Sequence, residues 1–199
     1  RYATDAHLGT EMTYDYFLLV HNRNSIDDSG FALKSYVHYG NNYVNAFWDG
    51  QRMTYGDGDG ATYSPLTTLD ICGHEVTHGL TDFTSDLIYA YEYGALNESF
   101  SDIFGVTVEN YARPNNWNWL IGEEIGVAIR SMSNPNHLND PDTYGGQHWI
   151  SQQNCISSNA NDYCGVHTNS GVQNYWFYLL VTGGNGVNDI ADSFSVAGI

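Results

Sequence analysis

Five consecutive residues, His74-Glu75-Val76-Thr77-His78, constrain this chain more than any other stretch. Two histidines four apart can act together when they sit on an α-helix. There they lie about 40° apart around the axis and about 6 Å along it, so both imidazoles face one way. Glu75 lies a further ~100° round, too far to chelate with them but near a metal-bound water. The spacing predicts two metal ligands and a general base on one helix. Leu69, Cys72, Val76 and Leu80 recur at helical spacing, with Ser64-Pro65 as a start signal. The bland alternative is a pair of hydrogen-bonded core histidines.

A third ligand should be another carboxylate or histidine, and Glu98 fits. It stands in Gly94-Ala95-Leu96-Asn97-Glu98-Ser99-Phe100-Ser101-Asp102. Leu96, Phe100, Ile103, Phe104 and Val108 give this stretch a helical apolar face, and Glu98 and Asp102, four apart, share a face of the second helix. They read either as two solvated carboxylates or as a ligand, Glu98, beside an acceptor, Asp102, that orients a ligand histidine.

These two runs resemble the thermolysin-type neutral metallopeptidases, the gluzincins. Gly165-Val166-His167-Thr168-Asn169-Ser170-Gly171 is similar to that family's second signature, and Asn45-Ala46-Phe47-Trp48 to its substrate-binding edge strand. Matching segments extend from about Asp5 to Ile199. The resemblance implies one zinc ion on His74, His78 and Glu98, with a fourth position for water. Glu75 would take the water's proton and pass it to the leaving nitrogen. His167 would donate to the tetrahedral oxyanion with Tyr89 assisting, and Asp162 would orient His167. Asp102 would hold His74, and Asn97 would help fix His78. Arg130 would contact the substrate carbonyl, and Asn45 and Ala46 would bind substrate main chain as an added strand. Without the resemblance, Tyr89 is one of 16 tyrosines, His167 a loop histidine and Arg130 an ion-pair partner.

The implied activity is a zinc endopeptidase that cleaves peptides or proteins before bulky apolar residues. Ile71, Ile121 and Ile129 are candidates to line that pocket. The resemblance also implies calcium on Asp70, Glu109 and the loop Asn118 to Glu123. Asn118 and Leu120 stand where double-calcium members carry carboxylates. The expectation is therefore one ion, with Glu123 and the Leu120 carbonyl contributing. Gly56-Asp57-Gly58-Asp59-Gly60 lacks the rest of an EF-hand loop and reads as a glycine-rich turn.

Composition narrows the partners. Six basic residues stand against 23 acidic ones, for a net charge of −17, which repels nucleic acid and anionic membranes. A merely acidic soluble protein has the same balance. No apolar run approaches the ~18 residues of a membrane span. Of three cysteines, Cys155 and Cys164 flank a polar loop before His167. A disulfide there would stiffen the approach to the site and contribute roughly 2–3 kcal/mol by loop-entropy scaling. Cys72, inside the zinc helix, reads as a buried free thiol. A disulfide agrees with an extracytoplasmic protein. So does a start at Arg1 without an initiator methionine or signal-like segment, and the expected location is secreted.

The 199 residues read as one catalytic-domain segment of α+β class, with a zincin-type mixed sheet and hairpin ahead of the zinc helix. Residues 1–82 form the sheet-containing part, and 83–199 begin a mainly helical part whose C-terminal lobe is missing. Helices are predicted over Thr10–Arg23, where Met12, Tyr16, Leu19 and Val20 repeat at near-helical spacing, and over Ser170–Val181. A strand is predicted over Ala32–Tyr39 and a hairpin over Asn42–Tyr55 about Asp49-Gly50. Pro114 to Gln153 reads as mostly irregular. Family members carry more sheet before Asp5-Ala6-His7 and a helical lobe after Phe194–Ile199, so missing segments are expected to complete the cleft. The competing function is a zinc-binding but catalytically incomplete fragment acting as a binding module.

Overall fold

A computed structural model describes residues 1–199. The chain divides into two compact units, residues 1–86 with 100–129, and residues 87–99 with 130–199.

The first unit is α+β. Helix α1 spans Tyr2–His21, starting earlier than predicted. Ala6, Gly9, Thr13 and Phe17 are buried, while Leu19 and Val20 remain 68% and 52% exposed. Small residues at Ala6 and Gly9 let the helix sit close to its neighbours, so close approach and not apolar count selects the face.

Strands β1 (Ser35–Tyr39), β2 (Ala46–Trp48) and β3 (Met53–Gly56) form a mixed sheet in the order β1-β3-β2. β1 runs parallel to β3 and β2 antiparallel to it, which leaves β2 at an edge. The hairpin is present but its turn is shifted by one residue. Asp49 and Arg52 pair across it, so Gly50 (φ 90°) and Gln51 occupy the centre. The Asp49 carboxylate accepts the Gln51 and Arg52 amides, and this side-chain turn outcompetes an Asp-Gly centre. In the glycine-rich run, Asp59 Oδ1 caps the turn by accepting three successive amides, from Ala61 to Tyr63.

Helix α2 spans Leu69–Asp82, starting later than the Ser64-Pro65 signal, with Thr68 as N-cap. Leu69, Ile71, Cys72 and Val76 are buried, and Ile71, Cys72 and Val76 join Phe17, Met53, Tyr55 and Leu66 in the core. Ile71 is thus a core side chain of this unit. Trp48 Nε1 donates to Asp82 at 2.7 Å and ties β2 to the end of α2. Helix α3 spans Tyr91–Ala112 and passes from the second unit into the first after Ser99. Strand β4 is the short Leu120–Ile121.

In the second unit, β5 (Arg130–Ser131) precedes a stretch of turns, and α4 (Asp162–Asn169) leads into α5 (Gly171–Thr182). Strands β6 (Gly184–Val187) and β7 (Ser193–Val196) close the chain as an antiparallel hairpin that the sequence pattern did not flag. Ser99 donates to Asn174 at 2.7 Å, anchoring the start of α3 to α5. No helix is long and apolar enough to cross a membrane.

Candidate metal centre

In the first unit the site grows from the approach of α2 to the later half of α3. A Cβ on Gly105 would lie 2.6 Å from the Asp70 carbonyl oxygen, and one on Gly73 would lie 3.1 Å from Gly105 Cα. Glycine at 105 is required for this backbone contact, and at 73 a side chain would push the Gly105 backbone away by a few tenths of an ångström. The contact brings Asp102, one turn before Gly105, against His74, one residue after Gly73.

His74 Nδ1 donates to Asp102 Oδ1 at 2.9 Å. The pair is almost fully buried, with side chains 8% and 0% exposed. An ionised carboxylate can only accept, so Nδ1 carries the proton and Nε2 keeps its lone pair. His78 presents Nε2 to His74 Nε2 at 3.0 Å, while Ser101 Oγ lies 3.2 Å from its Nδ1. Two imidazoles are thereby held by their outer nitrogens with their inner nitrogens turned to a common point, a donor pattern suited to a cation. Ser101 was missed in the sequence, because a serine beside a histidine carries no spacing signature. Glu75 follows His74 on α2 and is buried.

The second unit carries the other residues. Glu98 is fully buried on the first half of α3. Tyr89 OH donates to Glu98 Oε1, and Arg130 Nη2 lies 3.8 Å from Oε2. His167 Nε2 is 3.2 Å from Tyr89 OH and 3.4 Å from Glu98 Oε1. Asp162 grips His167 twice: one carboxylate oxygen accepts Nδ1–H, and the other accepts the backbone amide at 2.9 Å. Desolvation works against the charged imidazole, but the Glu98 and Asp162 carboxylates prevail and raise the His167 pKa above its usual value. Asn97 donates to the Leu87 carbonyl at 3.3 Å.

Between Asn97 and Asp102 the buried residues of α3 are polar, while Ala95, Ile103, Val106 and Val108 are its buried apolar positions. Asn97, Glu98, Ser99, Ser101 and Asp102 are buried; of the expected apolar face Ile103 and Val108 are buried, whereas Leu96 and Phe100 are each 39% exposed. Hydrogen-bonded partners for the carboxylates outweigh the apolar pattern there.

Asp162, Tyr163, Cys164 and Gly165 have φ of 53°, 49°, 71° and 85°, a single left-handed turn at the head of α4. For each of the three non-glycine residues this costs about 1–2 kcal/mol. The Cys155–Cys164 disulfide expected from sequence is formed and ends in this turn, while Cys72 is free and buried. Burial pushes the Cys72 thiol pKa up, which keeps it protonated and unreactive.

The residues proposed for calcium lie in the first unit. Asp70 accepts from Thr68 Oγ1, the Ile71 amide and the Gly122 amide. Asn118 Nδ2 donates to Glu123 at 2.7 Å, and the Leu120 amide donates to Asn118 Oδ1. Burial, followed by Asp70, Glu123 and Glu124, pushes the Glu109 carboxyl up to about 8. One oxygen each of Glu109 and Glu123 is buried with no hydrogen-bond partner.

Residues 1–82 match the family model described as thermolysin metallopeptidase, catalytic domain, and residues 85–198 match thermolysin metallopeptidase, alpha-helical domain. Bacillolysin of Bacillus cereus is 50% identical over 189 residues, covering 92% of this chain and 32% of the relative. Thermolysin of Alicyclobacillus acidocaldarius subsp. acidocaldarius is 48% identical over 92% of this chain and 33% of its own length. The chain thus spans about a third of these curated relatives. Among solved structures, the precursor of protealysin, a metalloproteinase from Serratia proteamaculans, matches with a TM-score of 0.75 and 38% identity. That match covers 90% of this chain and 59% of the other. With two consecutive family models accounting for nearly all of its residues, the chain belongs to the thermolysin metallopeptidase family.

Proposed function

We propose that this chain carries the catalytic centre of a zinc-dependent endopeptidase that cleaves before bulky apolar residues. The observation that carries the reading is the pair His74 and His78, with Nδ1 of His74 bound to Asp102 and the two Nε2 atoms turned together. By the family resemblance, Glu98 adds a carboxylate to the two imidazoles of His74 and His78 as the third ligand of the metal ion. Zinc on these donors would acidify a water and polarise a carbonyl.

The chain's own side chains do the rest. Glu75 accepts the proton of the attacking water and delivers it to the leaving nitrogen. His167, oriented by Asp162, donates Nε2–H to the oxyanion, and Tyr89 assists. Arg130 binds the carbonyl beside the scissile bond. Asn45 and Ala46, at the sheet-edge strand β2, hold substrate main chain as an added strand. The disulfide supports a secreted, extracytoplasmic setting.

The test is hydrolysis of a quenched peptide with a bulky apolar residue after the cleavage point. Calcium is kept constant while zinc is removed by chelation and then restored stoichiometrically. Turnover should vanish and return. No turnover from a folded, zinc-loaded chain sinks the enzymatic reading and leaves a zinc-bound peptide-binding module. A peptide with an acidic residue after the cleavage point should react far more slowly, and equal rates reject the specificity.

We further propose one structural calcium ion on Asp70, Glu109, Glu123, Asn118 and the Leu120 carbonyl. The unpartnered buried oxygens of Glu109 and Glu123 fit a hard cation that prefers oxygen ligands. Calcium at about a hundredfold above its Kd should raise the melting temperature by roughly 5–10 °C. Glu109→Gln should lose most of that rise. A variant that keeps the full calcium-dependent shift, measured by calorimetry at fixed zinc, removes Glu109 from the ligand set.

A further inference from the structure

We propose that the Cys155–Cys164 disulfide is a positioning device for His167, clamping the left-handed turn that aims Asp162 at it. The inference rests on the reading of His167 as an oxyanion donor. The turn must satisfy two demands at once. Asp162 has to point one carboxylate oxygen at the His167 amide and the other at Nδ1, five residues along the chain. A right-handed helical turn carries the Asp162 side chain elsewhere, so the double grip depends on left-handed backbone from Asp162 to Gly165.

The local sequence opposes that backbone. Glycine and asparagine accept left-handed φ, whereas Tyr163 and Cys164 adopt φ of 49° and 71° against their preference. Outside restraints must hold them. Asn161 Oδ1 accepts the Cys164 amide at 3.3 Å, and the Ser158 carbonyl accepts the Tyr163 amide at 2.8 Å. The covalent restraint is Cys164 itself, fully buried and bonded to Cys155. Cys155 is in turn anchored to α3, because Tyr91 OH donates to its carbonyl at 3.2 Å. The bridge therefore ties the turn to the helix that carries Glu98. Tyr163 uses the same backbone to lay its ring edge-on against Tyr89, with centroids 5.4 Å apart.

Two double variants of the full chain test this, both loaded with zinc. Cys155→Ala/Cys164→Ala removes the bridge and leaves a Cβ in the left-handed position. Cys155→Ala/Cys164→Gly removes the bridge and the conformational penalty together. Hydrogen exchange of the His167 amide reads the Asp162 grip without reference to turnover. In the alanine variant that amide should exchange at least about tenfold faster, and kcat should fall about tenfold or more with KM nearly unchanged. Zinc content should stay at one ion. The glycine variant should recover most of both losses. An alanine variant that keeps full amide protection and kcat overturns the proposal. So does a glycine variant that protects the amide no better than the alanine one. If the alanine variant does not fold, reduction of the bridge in the folded parent chain decides: faster exchange of the His167 amide supports the clamp, and unchanged protection rejects it. If the parent chain has no peptidase activity, amide exchange still tests the clamp while the enzymatic reading fails separately.

Discussion

Glu75→Gln should retain zinc and lose turnover by about 100- to 10,000-fold, the range assigned to a positioned general base. The amide is nearly the same shape as the carboxylate but cannot accept the water's proton at neutral pH. His74 and His78 keep their supports in this variant, since Asp102 and Ser101 reach them from α3 without involving Glu75. Metal content by atomic spectroscopy and kcat/KM on the same sample separate the two effects. If zinc is lost together with activity, Glu75 is part of the metal set and its role as base is wrong. If turnover survives at more than a tenth of the parent value, the proton has another acceptor.

Glu98→Ala should weaken zinc binding by more than the 10- to 100-fold typical of losing an outer-shell partner. The substitution also takes the acceptor from Tyr89 OH and the carboxylate from beside Arg130 and His167. Deleting a fully buried side chain leaves a cavity, so the variant should lose stability even when zinc is saturating. Competition with a chromogenic chelator gives the zinc affinity, and thermal unfolding at excess zinc gives the second effect. Unchanged affinity would mean that another residue completes the donor set.

Some of this molecule was legible in sequence because helical periodicity acts locally. The spacing of His74 and His78 requires one helix face, and α2 provides it whatever surrounds it. The same holds for Glu98 and Asp102 on α3. The Asp102 contact with His74 was anticipated from family resemblance and is present at 2.9 Å. Its cause, however, is the glycine contact between α2 and α3, which no local pattern displays.

Other features depend on tertiary structure. Of the apolar face that periodicity marks on α3, Ile103 and Val108 are buried, yet Leu96 and Phe100 are exposed because Glu98 and Asp102 take the buried positions around them. The inward face of α1 is set in the same way by how closely small side chains let it pack. The left-handed turn before His167 has turn residues in Asp162 and Gly165, but Tyr163 and Cys164 between them disfavour its backbone. A covalent bond nine residues away in sequence and a carboxylate clamp hold it instead. The sequence by itself determined which donors are available and which of them share a helix face, because both follow from residue type and a 3.6-residue repeat. Only the tertiary structure decided which face is buried and which strained backbone is held. Those outcomes depend on long-range packing, whose free energy outweighs local preference.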